Sequence, residues 1–236
     1  MSERDLGVVL AAAGAGQRFG SAKQFLEVGG RPLLHYSLDA FSAVEEVIQV
    51  VVVLPPADLE AGRRCVAAWQ AEMQRGPGRC PRLDFAAGGA RRQDSVETGL
   101  GMLGGGVKNV LVHDAARPLV RPEDIRRLAE AVRERGAAAL GTPCHDSVKR
   151  ARGGRIVEDL PREEVWTVQT PQGGRLHDLR DAYARGRGRE LTDEASALRA
   201  AGIEVFLVEG PRENLKITRP GDEVLAALLL QERGRG

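Results

Sequence analysis

The sequence predicts an α/β protein whose mainly parallel sheet is covered by helices on both faces. Two observations predict this class. Short apolar, β-branched runs without polar alternation recur along the chain, which is typical of strands buried on both faces. Helical patterns separate most of these runs, as expected when helices connect parallel strands. The predicted strands are, in order, Leu6–Ala12, Val47–Leu54, Leu83–Ala86, Asn109–His113, Ala137–Thr142, Val165–Gln169 and Ile203–Val208.

The helices are predicted from apolar residues that recur with the helical period, bounded by start and stop signals such as proline, aspartate and glycine. Most of them lie between two predicted strands, so the strand and helix patterns support each other. In chain order the predicted helices are Pro32–Phe41, Ala57–Met73, Asp94–Leu103, Pro122–Arg135, Arg175–Ala184, Asp193–Ala201 and Gly221–Gln231.

One polar stretch interrupts the alternation of strands and helices. The segment Ser147–Asp159 is predicted to form two short strands around Gly153 and Gly154, which can supply the positive φ values of a tight turn. Such a polar hairpin is either a surface flap or an arm that reaches a partner subunit. Since no linker or repeat divides the chain, we expect one domain over residues 1–236 with an inserted arm at about 145–168.

Composition excludes several classes of protein. A net charge of +1, with 42% hydrophobic and 28% charged residues, does not fit a nucleic-acid binder. The cysteines Cys65, Cys80 and Cys144 are far apart in sequence and fit reduced thiols better than a zinc site. No apolar run approaches the roughly 20 residues that span a bilayer. We therefore expect a mature cytoplasmic protein without membrane contact, too short to carry a fused second enzyme of similar size.

A glycine-rich loop follows the first predicted strand. In "LAAAGAGQRFGSAKQF" (10–25), Gly14 and Gly16 can expose backbone N–H groups to an anion, and Arg18 and Lys23 can add positive charge. The dinucleotide fingerprint requires a glycine where the chain has Phe19, and the Gly-Lys-Ser/Thr ending of a P-loop is absent. The loop is therefore interpreted as a phosphate site of another kind, or as a structural turn between strand and helix.

Six further motifs occur in a specific order. They are "AAGGARRQDSVETGL" (86–100), "VHDAARP" (112–118), "HDSVKRA" (145–151), "VQTPQ" (168–172), "LTDEAS" (191–196) and "ENLKITRPGD" (213–222). Together with the first loop they resemble the 2-C-methyl-D-erythritol 4-phosphate cytidylyltransferase family of the non-mevalonate isoprenoid pathway. The resemblance implies a Rossmann-like three-layer nucleotidyltransferase fold. It also implies the transfer of CMP from CTP to a methylerythritol phosphate, with release of pyrophosphate and a divalent cation, Mg²⁺, as cofactor.

The resemblance also implies roles for residues around the nucleotide. Arg18, Lys23 and Lys216 match the family's catalytic cations, which offset the repulsion between a phosphate and a triphosphate. The nucleotide would lie against a second set of matching residues: Ala12, Ala13, Gly14, Gly16, Gly88, Gly89 and Ser95. The chain departs from the family at Ala90, where relatives often have a polar residue, and in a shortened segment before Lys23. For Ser95, capping of the following helix is an alternative role.

Other matching positions concern the metal and the acceptor. Asp114 directly follows a predicted strand, where α/β sheets bind ligands, and a carboxylate there can hold Mg²⁺ or cap the next segment. Its neighbour His113 is interpreted as structural. The acceptor phosphate is assigned to Arg117, and further acceptor contacts are expected from the remaining matching residues: Ser147, Arg162, Thr170 and Thr192. Helix capping is an alternative for Thr192. Ser147, Lys149 and Arg162 flank the hairpin that in the family enters a neighbouring subunit, which implies a homodimer.

Three other functions are weighed against this one. The same chemistry on another polyol phosphate, such as ribitol 5-phosphate, would use the same nucleotide motifs. A nicotinamide-dependent oxidoreductase would use the first glycine loop, but Phe19 and the lack of an acidic residue after the second strand disfavour it. A non-catalytic nucleotide-binding protein would need neither Lys23 nor Lys216.

Overall fold

The computed structural model describes residues 3–14, 25–73 and 80–233. Within these ranges the strands are β1 (Leu6–Ala11), β2 (Glu27–Val28), β3 (Arg31–Pro32), β4 (Val47–Leu54), β5 (Arg82–Ala87), β6 (Asn109–Asp114), β7 (Ala137–Pro143), β8 (Val148–Arg152), β9 (Arg155–Leu160), β10 (Trp166–Arg175) and β11 (Phe206–Glu209). The α-helices are α1 (Leu33–Ser42), α2 (Leu59–Met73), α3 (Arg92–Met102), α4 (Pro122–Arg135), α5 (Leu176–Arg185), α6 (Glu194–Ala200) and α7 (Asp222–Arg233).

Seven of the strands form the central sheet, in the order β11-β7-β10-β6-β1-β4-β5. Every pair of neighbours in this sheet is parallel except the two pairs that β10 makes with β6 and β7. The prediction of a mainly parallel sheet is therefore confirmed. Because parallel strands end at the same edge, the carboxyl ends of β1, β4, β5 and β6 lie together, and the loops that follow them form one surface.

Helices cover both faces of the sheet. On one face α1, α2 and α4 bury a cluster that includes Leu38, Trp69 and Ile125, and on the other face α3, α5 and α6 bury a cluster that includes Val96 and Leu179. The β-branched runs supply both clusters because successive residues of a strand point to opposite faces, so that apolar residues are needed at every position. The expected three-layer α/β arrangement is confirmed.

Strand β10 is the element that differs most from the prediction. The predicted strand Val165–Gln169 continues to Arg175, and it runs antiparallel between β6 and β7. Its second half contains Gly173, where a Cβ atom would lie 2.3 Å from the carbonyl oxygen of Val110. The close approach of two backbones requires a glycine there, and glycines weaken the sequence signal of a strand. The antiparallel direction places the beginning of β10 beside the carboxyl end of β6.

The polar hairpin is present as predicted. Strands β8 and β9 pair antiparallel with each other in a separate two-stranded sheet, and Gly153 and Gly154 turn between them with φ values of 56° and 78°. Two successive positive φ values suit the tight turns of hairpins. The assignment of this arm to a partner subunit stays a prediction. Among the described helices, none combines the length and the apolar character needed to cross a bilayer.

Candidate active site

Asp114 is the centre of a charged cluster at the carboxyl edge of the sheet. It is the last residue of β6, and its side chain is only 10% exposed. One carboxylate oxygen, Oδ2, accepts a hydrogen bond of 2.6 Å from Nζ of Lys216, and the other, Oδ1, accepts one of 2.9 Å from Nε of Arg92. The structure thus brings together Asp114 and Lys216, which are 102 positions apart in sequence.

The electrostatic state of Asp114 follows from these two cations. Burial alone would raise the pKa of its carboxyl, but the charges of Arg92 and Lys216 outweigh burial and hold the pKa well below its usual range. The carboxylate is therefore ionised at neutral pH. An ionised carboxylate between two cations can orient the ammonium of Lys216, and it has further lone pairs for a metal ion.

Arg92 extends the cluster to a buried carboxylate that the sequence analysis did not single out. Its terminal nitrogens donate to Oε1 and Oε2 of Glu194 at 2.8 and 3.1 Å, and the hydroxyl of Tyr183 also donates to Oε1 of Glu194 at 2.9 Å. Burial acts to lower the pKa of Arg92, but Glu194 and Asp114 together raise it above its ordinary value. Arg92 and Glu194 both occur in quoted motifs, yet sequence carries no signal that pairs them.

Thr170 connects β10 to the same cluster. Its hydroxyl oxygen accepts a hydrogen bond of 3.1 Å from the backbone N–H of Asp114 and lies 3.2 Å from Nδ1 of His113. Nε2 of His113 lies 3.1 Å from the carbonyl oxygen of Arg117. Burial lowers the pKa of His113 to about 4, so the ring is neutral, and protonation on Nε2 satisfies both contacts. His113 is structural, as expected, and Thr170 contributes its hydroxyl to the cluster.

Arg117 is a cation without a carboxylate partner in the described part of the chain. One of its terminal nitrogens donates to the carbonyl oxygen of Asn214 at 2.7 Å, and its buried Nε has no hydrogen-bond partner there. Burial lowers its pKa from the ordinary value of arginine. Asn214 itself is fully buried and donates to the carbonyl oxygen of Thr170 at 2.9 Å, so it fixes the segment that carries Lys216. A partly buried guanidinium whose charge no described carboxylate neutralises is suited to bind an anion.

The second glycine loop follows β5. Ser95 does not cap α3, because the helix begins at Arg92 and the residue before it is Arg91. The Ser95 hydroxyl oxygen instead accepts a hydrogen bond of 3.1 Å from the N–H of Gly89, and Ser95 thereby holds the loop. A Cβ atom on Gly88 would lie 2.4 Å from that of Ala13, so only glycine permits the two loops to approach. Ala90 is exposed at the end of this loop.

The first loop is described only in part. Ala12 is buried, and its N–H donates to the carbonyl oxygen of Val53 at 2.8 Å, while Gly14 is exposed, and a Cβ atom there would meet no described residue within 4 Å. Ala13 thus lies beside the Gly88 loop, and a nucleotide site shared by the two loops stays a prediction. Three residues predicted for this loop lie outside the described residues: Gly16, Arg18 and Lys23.

The residues predicted from the arm lie apart from the Asp114 cluster within one chain. Ser147 is exposed, and Arg162 contacts the carbonyl oxygen of His145 at 3.3 Å and the carboxylate of Glu163. Lys149 pairs with Asp159 across the hairpin.

Thr192 is exposed and does not cap α6, because the carboxylate of its neighbour Asp193 accepts the N–H of Ser196 at 2.8 Å. Helix capping was therefore the wrong alternative for both Ser95 and Thr192.

The donor set of the cluster suits one kind of metal site. Among the described residues there is no group of three or more His, Cys, Asp or Glu side chains that forms a metal cage. Magnesium does not need such a cage, because it is commonly held by one or two carboxylates, water and the phosphates of a substrate. Asp114 fits this requirement as a single carboxylate, and it does not fit a metal held by protein ligands alone.

Comparison with known proteins agrees with this geometry. The sequence profile of the family described as "IspD: 2-C-methyl-D-erythritol 4-phosphate cytidylyltransferase" matches residues 6–232. The chain is 40% identical to the 2-C-methyl-D-erythritol 4-phosphate cytidylyltransferase of Acidobacterium capsulatum, over 96% of this chain and 97% of that protein. The crystal structure of 2-C-methyl-D-erythritol 4-phosphate cytidylyltransferase from Thermus thermophilus superimposes with a TM-score of 0.76 and 36% identity. The match covers 98% of this chain and 100% of that one.

Some relatives are longer proteins. The bifunctional enzyme IspD/IspF of Solidesulfovibrio magneticus is 46% identical over 92% of this chain, but the match covers 55% of that protein. The chain thus spans little more than half the length of the bifunctional relatives that it matches.

Proposed function

Because this chain belongs to the 2-C-methyl-D-erythritol 4-phosphate cytidylyltransferase family, we propose that it transfers CMP from CTP to 2-C-methyl-D-erythritol 4-phosphate. The products are 4-diphosphocytidyl-2-C-methyl-D-erythritol and pyrophosphate, in non-mevalonate isoprenoid biosynthesis. One observation carries the proposal most directly: Lys216, Asp114 and Arg117 lie at one edge of the sheet. A lysine, a carboxylate and a guanidinium without a described carboxylate partner support the proposal that two phosphorylated substrates meet at this edge.

The chemical step needs positioning and charge more than proton transfer. An oxygen of the acceptor phosphate attacks the α-phosphorus of CTP, and the bond from that phosphorus to the bridging oxygen breaks. Pyrophosphate leaves with the electron pair of that bond. The attacking group is already an anion, so it requires no general base, which agrees with the neutral, buried His113. At an effective dielectric constant of 20, a cation about 4 Å away offsets about 4 kcal/mol of repulsion.

The residues divide this work between the two substrates. Lys216 lies where its ammonium can exchange Asp114 for the α-phosphate, and the predicted Lys23 and Arg18 would hold the triphosphate from the first loop. Arg117, which has no carboxylate partner among the described residues, would bind the acceptor phosphate, and Asn214 links it to Thr170. In the Gly88 loop the N–H groups of both glycines already donate within the protein, to Leu54 and Ser95. The carbonyl oxygens of the loop are thus the groups suited to accept from the amino group of cytosine.

We also propose Mg²⁺ as the cation, with Asp114 as its protein ligand. The ion would neutralise the triphosphate and polarise the phosphorus that is attacked. The charges of Arg92 and Lys216 keep the carboxyl of Asp114 ionised, and Asp114 is the last residue of β6, at the carboxyl edge of the sheet.

The arm supports the proposal of a homodimer. The apolar side chains of Ile156 and Val157 on β9 are 61% and 44% exposed, so one chain alone leaves them in water. A neighbouring chain would cover them and would receive Ser147 and Arg162 as contacts to its acceptor. The cytoplasmic location expected from the unpaired cysteines stays a prediction.

Pyrophosphate release tests the function. We expect turnover with CTP, Mg²⁺ and 2-C-methyl-D-erythritol 4-phosphate, and none with ribitol 5-phosphate. Turnover with ribitol 5-phosphate alone would show that the acceptor is wrong while the transfer chemistry stands. A thermal melt adds a test of class: stabilisation by NAD and not by CTP would favour an oxidoreductase.

A further inference from the structure

Glu194 is a buried acid at the start of α6. It is 0% exposed, and both of its carboxylate oxygens face the guanidinium of Arg92 at 2.8 and 3.1 Å. Tyr183 donates a third hydrogen bond at 2.9 Å. Burying a charge is unfavourable unless it is paired and hydrogen-bonded, so these contacts form a closely matched site for one carboxylate. Glu194 also lies one guanidinium away from the carboxylate at the centre of the candidate active site.

Arg92 connects Glu194 to Asp114, because its guanidinium donates hydrogen bonds to both carboxylates. Its two terminal nitrogens are held by Glu194, and this leaves Nε to donate to Oδ1 of Asp114 at 2.9 Å. A planar guanidinium that is fixed at three nitrogens has one orientation. In that orientation it binds only one oxygen of Asp114, and the other oxygen stays available to Lys216 at 2.6 Å.

We propose that Glu194 is a positioning residue for the transfer reaction, because it restricts Arg92 to one oxygen of Asp114 and thereby keeps the other oxygen for Lys216. Without the carboxylate of Glu194, the Arg92 fork is free to turn and to bind both oxygens of Asp114. Lys216 then loses the partner that holds it at the carboxyl edge of the sheet. The inference rests on the proposed function, since it concerns how the cations of that reaction are placed.

Steady-state kinetics of Glu194→Gln test the proposal. The substitution keeps the shape of the side chain and removes its charge. We expect kcat to fall at least tenfold while the KM for CTP stays within threefold, because the Gly88 loop that would hold the base does not contact Glu194. The matched control is Glu97→Gln on α3, where an exposed arginine, Arg187, donates to one glutamate oxygen at 2.8 and 2.6 Å. We expect this control to match the wild type.

A double variant separates positioning from a merely structural role. If Glu194 acts through Arg92, then adding Glu194→Gln to Arg92→Gln lowers kcat by less than a further threefold. If Glu194 only stabilises the fold, the activity of Glu194→Gln falls in proportion to the fraction of folded protein. Calorimetry counts the sites that still bind CTP, and kcat per such site then equals that of the wild type.

A second variant covers the case in which Glu194→Gln does not fold. Glu194→Asp keeps the charge and shortens the side chain by one carbon, so it no longer reaches both nitrogens of Arg92, and the same loss of kcat is expected. Two results would refute the positioning role and leave the proposed function standing. One is a wild-type kcat per site in the Asp variant, and the other is a double variant in which the losses of the two single variants multiply. A wild-type enzyme that releases no pyrophosphate overturns the proposed function, and with it this inference.

Discussion

Replacement of Lys216 by alanine removes the lysine that pairs with Asp114 among the described residues. Its ammonium lies 2.6 Å from Oδ2 of Asp114, and its side chain is 39% exposed, so it can move to a bound phosphate without unfolding its surroundings. A cation about 4 Å from a phosphate offsets about 4 kcal/mol at an effective dielectric constant of 20. Water will replace part of that effect. We therefore expect Lys216→Ala to lower kcat at least a hundredfold, which corresponds to about 2.7 kcal/mol.

The fold should tolerate this change. Arg92 still neutralises the buried carboxylate of Asp114, and the lost pair has a partly exposed lysine, so we expect its removal to cost about 1 kcal/mol. The melting temperature should then fall by no more than about 2–4 °C for a chain of this length.

Pyrophosphate release and a thermal melt measure the two effects separately. The control is Lys108→Ala, since Lys108 pairs with Glu3 just before the opposite end of the same strand, β6, and should leave kcat unchanged. A kcat for Lys216→Ala within threefold of the wild type would refute the role of the lysine.

Three further predictions follow from other parts of the site. Arg117→Ala should raise the KM for the acceptor at least tenfold and leave the KM for CTP unchanged, because its guanidinium, which has no carboxylate partner among the described residues, is assigned to the acceptor phosphate; equal effects on both substrates would contradict that assignment. Gly88→Ala should raise the KM for CTP about tenfold, since the new Cβ would lie 2.4 Å from that of Ala13 and overpacking costs about 1–3 kcal/mol; unchanged CTP binding in calorimetry would argue against a shared loop site. Deletion of residues 151–155 should weaken self-association in sedimentation and lower activity with it, and a fully active monomer would exclude a shared site.

The sheet could be predicted from sequence because most of its strands contain runs of apolar, β-branched residues. Strands such as Val47–Leu54 are buried on both faces. Their sequences therefore lack the alternation of apolar and polar residues that a half-buried strand shows. Strand β10 was predicted only in its first half. Its glycines, required by the backbone of β6, remove the apolar signal there.

The site was predictable where a short motif carries its own chemistry. Asp114 and Lys216 were predicted as site residues from the family motifs around them, and the structure brings them within hydrogen-bond distance. Glu194 was missed because its partner Arg92 is 102 positions away, and nothing in either segment shows the pairing. The role of Ser95 was open because helix capping and loop support use the same hydroxyl, and only the observed start of α3 separates them.

The hairpin arm is attached to the sheet at a particular place. It leaves the end of β7 and returns at the start of β10, where Trp166 pairs with Pro143, and Thr170 follows a few residues later beside Asp114. Both roots of the arm are therefore at the edge where the substrates would bind. If a neighbouring chain binds the arm, chain association and substrate binding become linked equilibria. Substrate then changes the association constant by the same factor by which association changes the affinity for substrate. The same arm rooted away from this edge would affect chain association without this link to substrate binding.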